Sequence, residues 1–237
     1  MPPRLKKLVK QVVKRYSHNK NVRAIFAVGS IARGDANAFS DIDLLVIVKK
    51  SVNYVRYDAG GTHIEIDSVT LNDVKKKLTN DPVQAYILSD FLPLFDPQRL
   101  EPNVLRIVNN FKKSYQVPGL AKADLYIQLV HHKLKIQSAI ARKKPERAAF
   151  FAGTALEKCS GATYAVNNAI PRPAYQILQH YDELPKKPRN FAELLRRATV
   201  GATKQRTQAI VTWIDYLLPL LKPAMAKFPK YYKPWRA

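Results

Sequence analysis

The sequence predicts an α+β protein in two parts: a mixed α/β N-terminal domain over residues 1–117 and an all-helical bundle domain over residues 118–237. Two observations lead to this prediction. Short apolar runs typical of strands occur almost entirely in the first half, whereas long segments with helical periodicity fill the second. The stretch 116–119, which contains proline and glycine, marks the point where the pattern changes.

The N-terminal part alternates between helical and extended patterns. Apolar residues three and four apart indicate helices, and apolar runs bounded by glycine or polar residues indicate strands. The run 42–48 is almost entirely apolar, so we expect it to be buried on both faces. Gly60 and Gly61 can supply a hairpin turn. The predicted elements are helices over residues 5–16 and 71–78, strands or extended pieces over 22–28, 42–48 and 92–97, and a hairpin over 54–70. A further helix is expected to start at Ser30 or Ile31, and another to follow residue 97.

The C-terminal part contains three long periodic segments and two short ones, separated by prolines. Such a succession predicts helices that pack as a bundle. The tail 228–237, rich in aromatic, basic and proline residues, is either a docking arm or a disordered end. The predicted helices span residues 124–141, 146–167, 174–181, 191–198 and 203–222.

Composition restricts the class of protein. A chain of 237 residues with 46% hydrophobic residues can bury a sizeable core, and its formal charge of +22 attracts polyanions such as nucleotides and RNA. The single cysteine, Cys159, excludes an internal disulfide framework and suits a reducing compartment. No run of 18 apolar residues and no signal-peptide pattern is present. We therefore expect a soluble cytoplasmic protein that does not span a membrane.

Acidic residues lie where the second strand begins. Asp41 and Asp43 are two positions apart, so both point to the same side of the strand. Upstream, Gly29-Ser30 forms a turn whose backbone N–H groups and hydroxyl can bind an anion. Asp67, on the outgoing arm of the hairpin, can be a third carboxylate on that face. Three converging carboxylates beside a phosphate-binding turn indicate a Mg²⁺ site.

Each of these features also has an ordinary structural explanation. A Gly-Ser turn is common, and an Asp-x-Asp pair often caps a helix or lies in a solvated loop. Glu65, which shares the face of Asp67, and Asp67 itself could form the solvated face of an edge strand. The joint pattern is much rarer than its parts, because strand, Gly-Ser turn, paired acids, apolar strand and a further acid occur in order. The combination favours a functional site.

The segments GSIARG (residues 29–34) and SDIDLLV (residues 40–46) resemble the signature of the polymerase-beta-like nucleotidyltransferase superfamily. The compact form is similar to its minimal and antibiotic-modifying members, such as the kanamycin and lincosamide nucleotidyltransferases. The resemblance implies a mixed sheet flanked by helices. It also implies transfer of a nucleoside monophosphate from an NTP to a hydroxyl, with release of pyrophosphate.

The resemblance also implies roles for individual residues. Gly29 and Ser30 would bind the triphosphate, and Asp41 and Asp43 would bind two Mg²⁺ ions. Asp67 would complete the metal site, with Glu65 as the reserve candidate. Arg33 would reach the triphosphate, or is a surface arginine.

The helical half resembles the C-terminal domain of antibiotic-type members, where it binds the acceptor or forms a dimer. In such relatives a carboxylate from this domain can act as general base. Glu157, the acid inside a long and mostly apolar helix, is the best match, because burial would raise its pKa into the range for proton abstraction. An ordinary helix glutamate is the alternative. Relatives of this type are often homodimers whose site spans the interface.

The acceptor stays open at this stage. The two-part organisation favours a small hydroxylated molecule, whereas the charge favours RNA. The basic segment 131–147 could line a groove for an anionic acceptor or be a solvated helix face. Two other functions are a non-catalytic nucleic-acid-binding or partner-binding protein on the same fold, and the nucleotidyltransferase component of a toxin–antitoxin pair.

Overall fold

A computed structural model describes residues 1–52, 54–173, 176 and 180–227. The chain divides into two compact units, Met1–Ser114 and Tyr115–Ala237. The helix predicted over residues 174–181 falls largely outside the described residues, and the basic aromatic tail 228–237 falls wholly outside them.

The first unit is a five-stranded sheet with helices. Its strands are ordered β3-β4-β2-β1-β5, and β2 and β4 run parallel while the other neighbours are antiparallel. The sheet is therefore mixed, as the sequence resemblance implied. The elements are α1 (Pro3–Ser17), β1 (Val22–Ala27), α2 (Gly29–Arg33), β2 (Ile42–Val48), β3 (Val55–Ala59), β4 (Thr62–Val69), α3 (Leu71–Asn80), α4 (Gln84–Ile87), β5 (Leu92–Phe95) and α5 (Glu101–Ser114).

Local sequence explains why these elements form where they do. Thr70 caps α3, because its side chain accepts a hydrogen bond from the Asp73 N–H. Gly60 and Gly61 adopt positive φ angles of 54° and 72°, the conformation that a two-residue hairpin turn requires. In β4, residues alternate between buried and partly exposed, with Glu65 and Asp67 on the more exposed face.

The central strand β2 is buried as predicted. Apart from Asp43, its residues from Ile42 to Val48 are 2% exposed or less. Its apolar side chains pack with those of β1, β4 and α1 in the core of this unit. A strand covered on both faces fixes the position of any polar group at its end, and Asp43 is that group.

The second unit is a helical bundle. Its core combines many small residues of α7 with large residues of α9, and the indole N–H of Trp213 donates to Thr163 Oγ1 at 2.9 Å inside it. Aromatic rings of Tyr164, Tyr181 and Phe191 pack in the same cluster. The elements are α6 (Gly119–Ala141), α7 (Pro145–Val166), a short 3-10 turn (Tyr181–Glu183), α8 (Phe191–Val200) and α9 (Thr203–Ala226).

Among the described residues, α9 is the one helix whose length and composition would allow it to cross a membrane. The apolar side chains of α9 lie in the core of the bundle. Trp213, Ile214, Leu217 and Leu221 are fully buried against the other helices of the bundle. Burial inside a bundle accounts for the apolar character of α9, as it does for core helices of globular domains.

The predicted fold class is confirmed: a mixed sheet flanked by helices precedes a helical region. The structure adds one helix to the sequence-based assignment, the short α4, and shows the limits of the helix after residue 97, which is α5. The apolar stripe of α5, which includes the buried Val104 and Val108, is interrupted by polar residues. The longer helices α6 and α9 also begin or end a few residues beyond the predicted limits.

Candidate active site

The turn after β1 holds the first part of the site. Gly29 has φ of 65°, a left-handed conformation that L side chains rarely adopt, and Gly34 closes α2 with φ of 81°. The Val28 N–H donates to the Asp43 carbonyl at 3.0 Å, which fixes the turn beside the start of β2. The sequence GSIARG therefore folds into a short tight turn next to the paired aspartates.

Gly29 lies directly against the Asp43 carboxylate. A Cβ at position 29 would stand 2.9 Å from Asp43 Oδ2, closer than side-chain carbons approach other atoms. Next to it, Ser30 Oγ is buried and has no hydrogen-bond partner among the described residues. A buried hydroxyl without a partner is costly, and an anion at the turn would satisfy it.

Asp43 has an unusual electrostatic environment. Burial first, and then the negative charges of Asp41 and Glu65, raise the pKa of its carboxyl to about 6, although the positive charges of His63 and Arg33 act in the opposite direction. Negative charge is thus concentrated at this end of β2. A bound divalent cation would relieve that repulsion and lower the pKa of the Asp43 carboxyl.

The strand register decides which acid lies nearest. In the parallel pairing of β2 with β4, Glu65 stands opposite Asp43. Glu65 also contacts Arg56 at 2.6 Å and His63 at 3.3 Å. The pKa of Glu65 is lowered, first by a hydrogen bond with Tyr54 and then by these two basic groups. Glu65 is therefore an ionised carboxylate held at the edge of the site.

Asp67 lies one step further along the strand. It stands opposite Leu45, and its carboxylate forms an ion pair with Lys77 of α3. The face of β4 that carries it is the same as that of Glu65, as the sequence predicted. Its register position and its lysine partner nevertheless place it farther along the sheet from Asp43 than Glu65. The structure thus brings the reserve candidate, rather than the favoured one, beside the paired aspartates.

Two further predicted residues differ in their surroundings. Arg33 is mostly buried, lies 3.2 Å from Asp35 through its Nε, and contributes positive charge at Asp43. Glu157 of α7 has a side chain that is 82% exposed, with Lys158 at 3.7 Å. The expectation that the apolar helix buries Glu157 is wrong, because the small residues of α7 face the core and leave position 157 on the outer face.

In the described part of the chain, no three Asp, Glu, His or Cys side chains are grouped closely enough to hold a metal ion as they stand. The residues nevertheless fit magnesium and a phosphate. Asp41, Asp43 and Glu65 supply hard oxygen ligands at one edge, and Ser30 Oγ supplies an unsatisfied hydroxyl beside Gly29. Arg56 and His63 both contact Glu65 through Oε1.

Sequence reasoning did not identify Tyr54, Arg56 and His63 as partners of the site. The hairpin sequence nevertheless contains the information that places Arg56 beside Glu65. A two-residue turn at Gly60-Gly61 sets the pairing of the two arms, and that pairing places Arg56 directly across from Glu65.

Comparisons with known proteins agree with this fold. Residues 5–101 match the family model described as a nucleotidyltransferase domain. A solved structure described as a nucleotidyltransferase-like protein from Exiguobacterium sibiricum 255-15 is similar to this fold. Its TM-score is 0.53 at 14% sequence identity, and the alignment covers 98% of this chain and 82% of that one. No curated protein sequence matches the chain. The resemblance predicted from the sequence is therefore confirmed: the N-terminal part of this chain is similar to the nucleotidyltransferase domains of the polymerase-beta-like superfamily.

Proposed function

We propose that this protein is a Mg²⁺-dependent nucleotidyltransferase that transfers a nucleoside monophosphate from an NTP to a hydroxyl acceptor and releases pyrophosphate. One observation carries the proposal: Gly29, left-handed and without a side chain, lies against the raised-pKa carboxylate of Asp43, beside the unpartnered hydroxyl of Ser30. This arrangement leaves room for a phosphate next to a carboxylate that favours a cation.

The residues take the following roles in the proposed site. The backbone of Gly29 and the hydroxyl of Ser30 bind the triphosphate. Asp41, Asp43 and Glu65 hold the metal, with Glu65 preferred to Asp67 because of its register opposite Asp43. Arg33, whose charge already acts on Asp43, stabilises the triphosphate from the same turn.

In the proposed reaction the acceptor hydroxyl oxygen attacks the α-phosphorus, and the bond from that phosphorus to the pyrophosphate oxygen breaks. Two Mg²⁺ ions, when bound, would activate the attacking oxygen and stabilise the leaving pyrophosphate. The hydroxyl proton passes to a carboxylate. Glu157 is kept as the proposed base only on the resemblance of the helical half to that of antibiotic-type members, because its carboxylate is exposed rather than buried.

The acceptor is proposed to be either a small hydroxylated molecule or RNA. The helical unit attached to the catalytic part supports the first, and the formal charge of +22 supports the second. The single, buried cysteine and the need for NTP and Mg²⁺ support a cytoplasmic location.

The test is a transfer assay with α-labelled NTPs and Mg²⁺, in which tRNA, an aminoglycoside and a lincosamide are offered in parallel. We expect label on one acceptor, and pyrophosphate in equal amount. Asp43→Asn should abolish transfer, whereas Asp81→Asn, an exposed acid of the same unit that accepts a hydrogen bond from Gln84, should retain it. Label on the protein itself would point to a self-modifying activity. Absence of transfer, with Mg²⁺-independent RNA binding, would favour the non-catalytic alternative.

A further inference from the structure

A second concave site lies at one end of the helical bundle, where the turn between α6 and α7 meets the start of α9. This cavity has a volume of about 890 Å³, and every residue that lines it belongs to the second unit. That volume is in the range of sites that bind small organic ligands.

Small side chains lie at the base of the cavity. Ala148 and Thr207 form its floor and are 2% and 5% exposed. The Thr207 hydroxyl is turned back onto its own helix, where it donates to the Thr203 carbonyl at 2.9 Å. The floor therefore presents methyl groups rather than polar atoms. Ile140 and Val211 extend this apolar lining.

The rim carries positive charge only. Lys143, Lys144 and Lys204 are the charged residues of the lining, and no acidic residue contributes to it. All three lysines are exposed, and within residues 1–52, 54–173, 176 and 180–227 none forms an ion pair. A hydrogen bond of 2.9 Å from the Lys144 N–H to the Ala139 carbonyl fixes the turn that carries two of them.

Two of the lysines also sit at helix starts. Lys144 immediately precedes α7 and Lys204 lies in the first turn of α9, and in neither helix does the side chain of the N-cap residue accept a hydrogen bond from the first-turn N–H groups. The partial positive charge of both helix starts adds to that of the ammonium groups. An apolar floor beneath a purely cationic rim matches a ligand with an apolar body and an anionic end.

We propose that this cavity binds an amphiphilic organic anion, which places its apolar chain or ring against Ala148, Thr207 and Val211 and its carboxylate or phosphate between Lys144 and Lys204. The lining contains neither a buried acid nor an unpartnered buried amide that would select a neutral polar ligand. The proposal is independent of nucleotidyl transfer, because its residues and its test involve the bundle alone.

The test uses ligands with one tail and different heads on the full-length protein. Decanoate, decyl phosphate, decanol and decyltrimethylammonium are titrated below their micelle-forming concentrations and followed by amide chemical shifts. We expect the two anions to bind and to move the signals of Ala148 and Thr212. Decanol should bind about tenfold more weakly and the cation more weakly still, since a charge-assisted contact contributes about 1.5 kcal/mol or more. The two anions distinguish a carboxylate from a phosphate ligand.

Two variants separate the contributions of charge and space. Lys144→Gln with Lys204→Gln should weaken decanoate binding about tenfold and leave decanol unchanged. Val211→Trp should fill the cavity and weaken both ligands. Lys222→Gln with Lys227→Gln removes two charges elsewhere in the same unit and should change neither affinity. Thermal unfolding of each variant checks that the bundle is intact.

Several outcomes would overturn the proposal. They are equal affinity for all four heads, decanoate affinity unchanged by the Lys144/Lys204 substitutions, or shifts confined to other parts of the bundle. AMP is titrated in the same way. If AMP moves the signals of Ala148 and Thr212 and decanoate does not, the cavity is a nucleotide site and the proposal is wrong.

Discussion

Replacing Gly29 by alanine perturbs the candidate site at its narrowest point. Two effects are combined in this change. The backbone at residue 29 has φ of 65°, so a side chain there is strained, and the new Cβ would stand 2.9 Å from Asp43 Oδ2. Gly34 supplies a matched control, because its φ of 81° is also left-handed but a Cβ there would meet nothing within 4 Å.

The backbone strain lowers the free energy of unfolding, whereas the clash with Asp43 lowers the transfer rate. Left-handed strain costs about 1–2 kcal/mol of folding free energy and applies to both glycines. The clash applies to Gly29 alone, and relieving it to the 3.4 Å of an ordinary contact moves the Asp43 carboxylate by about 0.5 Å. A shift of that size in a catalytic carboxylate lowers the rate by roughly 10- to 100-fold.

We therefore expect Gly29→Ala and Gly34→Ala to lose similar stability in urea unfolding but to differ in transfer rate. Gly34→Ala should keep most of the activity. Gly29→Ala should lose at least tenfold in kcat, measured by pyrophosphate release at saturating NTP and Mg²⁺. Equal rates for the two variants would refute the reasoning that Gly29 is needed for its closeness to Asp43.

Three other predictions follow from the same structure. The Asp43 carboxyl has a pKa of about 6 in the folded protein, against 3.8 for an unperturbed aspartate, so the folded state binds more protons between these values and loses stability as the pH rises through them. Asp43→Asn should remove that loss. Its free energy of unfolding should exceed that of the wild type by roughly 1–2 kcal/mol near neutral pH but by little below about pH 4, which urea titrations at both pH values would measure. Glu65→Gln should reduce transfer by about 100-fold or more and Asp67→Asn by less than about tenfold in the labelled-NTP assay, because Asp67 pairs with Lys77 rather than with Asp43. Trp213→Ala should cost about 3–5 kcal/mol of unfolding free energy, since it empties the centre of the bundle, and a smaller loss would contradict the packing described.

Much of the fold follows from local patterns. The strand Ile42–Val48 is recognisable because its apolar run is complete enough to be buried on both faces, and the helix Pro3–Ser17 because Leu5, Val9 and Val12 recur at helical spacing. The apolar stripe of Glu101–Ser114 is weaker, so the sequence indicated a helix after residue 97 without fixing its limits. Its helical state depends on packing with α3 and α4, which are brought to it by the tertiary fold.

The choice of third acid shows the limit of sequence reasoning. Alternation along β4 puts Glu65 and Asp67 on one face, and this can be read from the sequence. Which of them lies opposite Asp43 depends on the register between β2 and β4, two parallel strands joined through β3, and no local turn fixes that register. In the hairpin the opposite holds, since the turn at Gly60-Gly61 alone sets the Arg56–Glu65 pairing.

Glu157 shows a related limit. An acid in an apolar sequence suggests burial, but around this position α7 packs through Ala152, Ala155 and Cys159, and position 157 lies outside that face. The side that a helix turns to the core depends on its neighbours as much as on its own composition.

The most direct test of a metal-dependent nucleotide site is calorimetric titration with a non-hydrolysable NTP, with and without Mg²⁺. Wild type and Asp81→Asn should bind the nucleotide tightly only when Mg²⁺ is present, and Asp43→Asn should lose at least tenfold in affinity under the same conditions. Nucleotide binding that is indifferent to Mg²⁺, or unchanged in Asp43→Asn, would contradict the assignment of Gly29, Ser30 and Asp43 to this site.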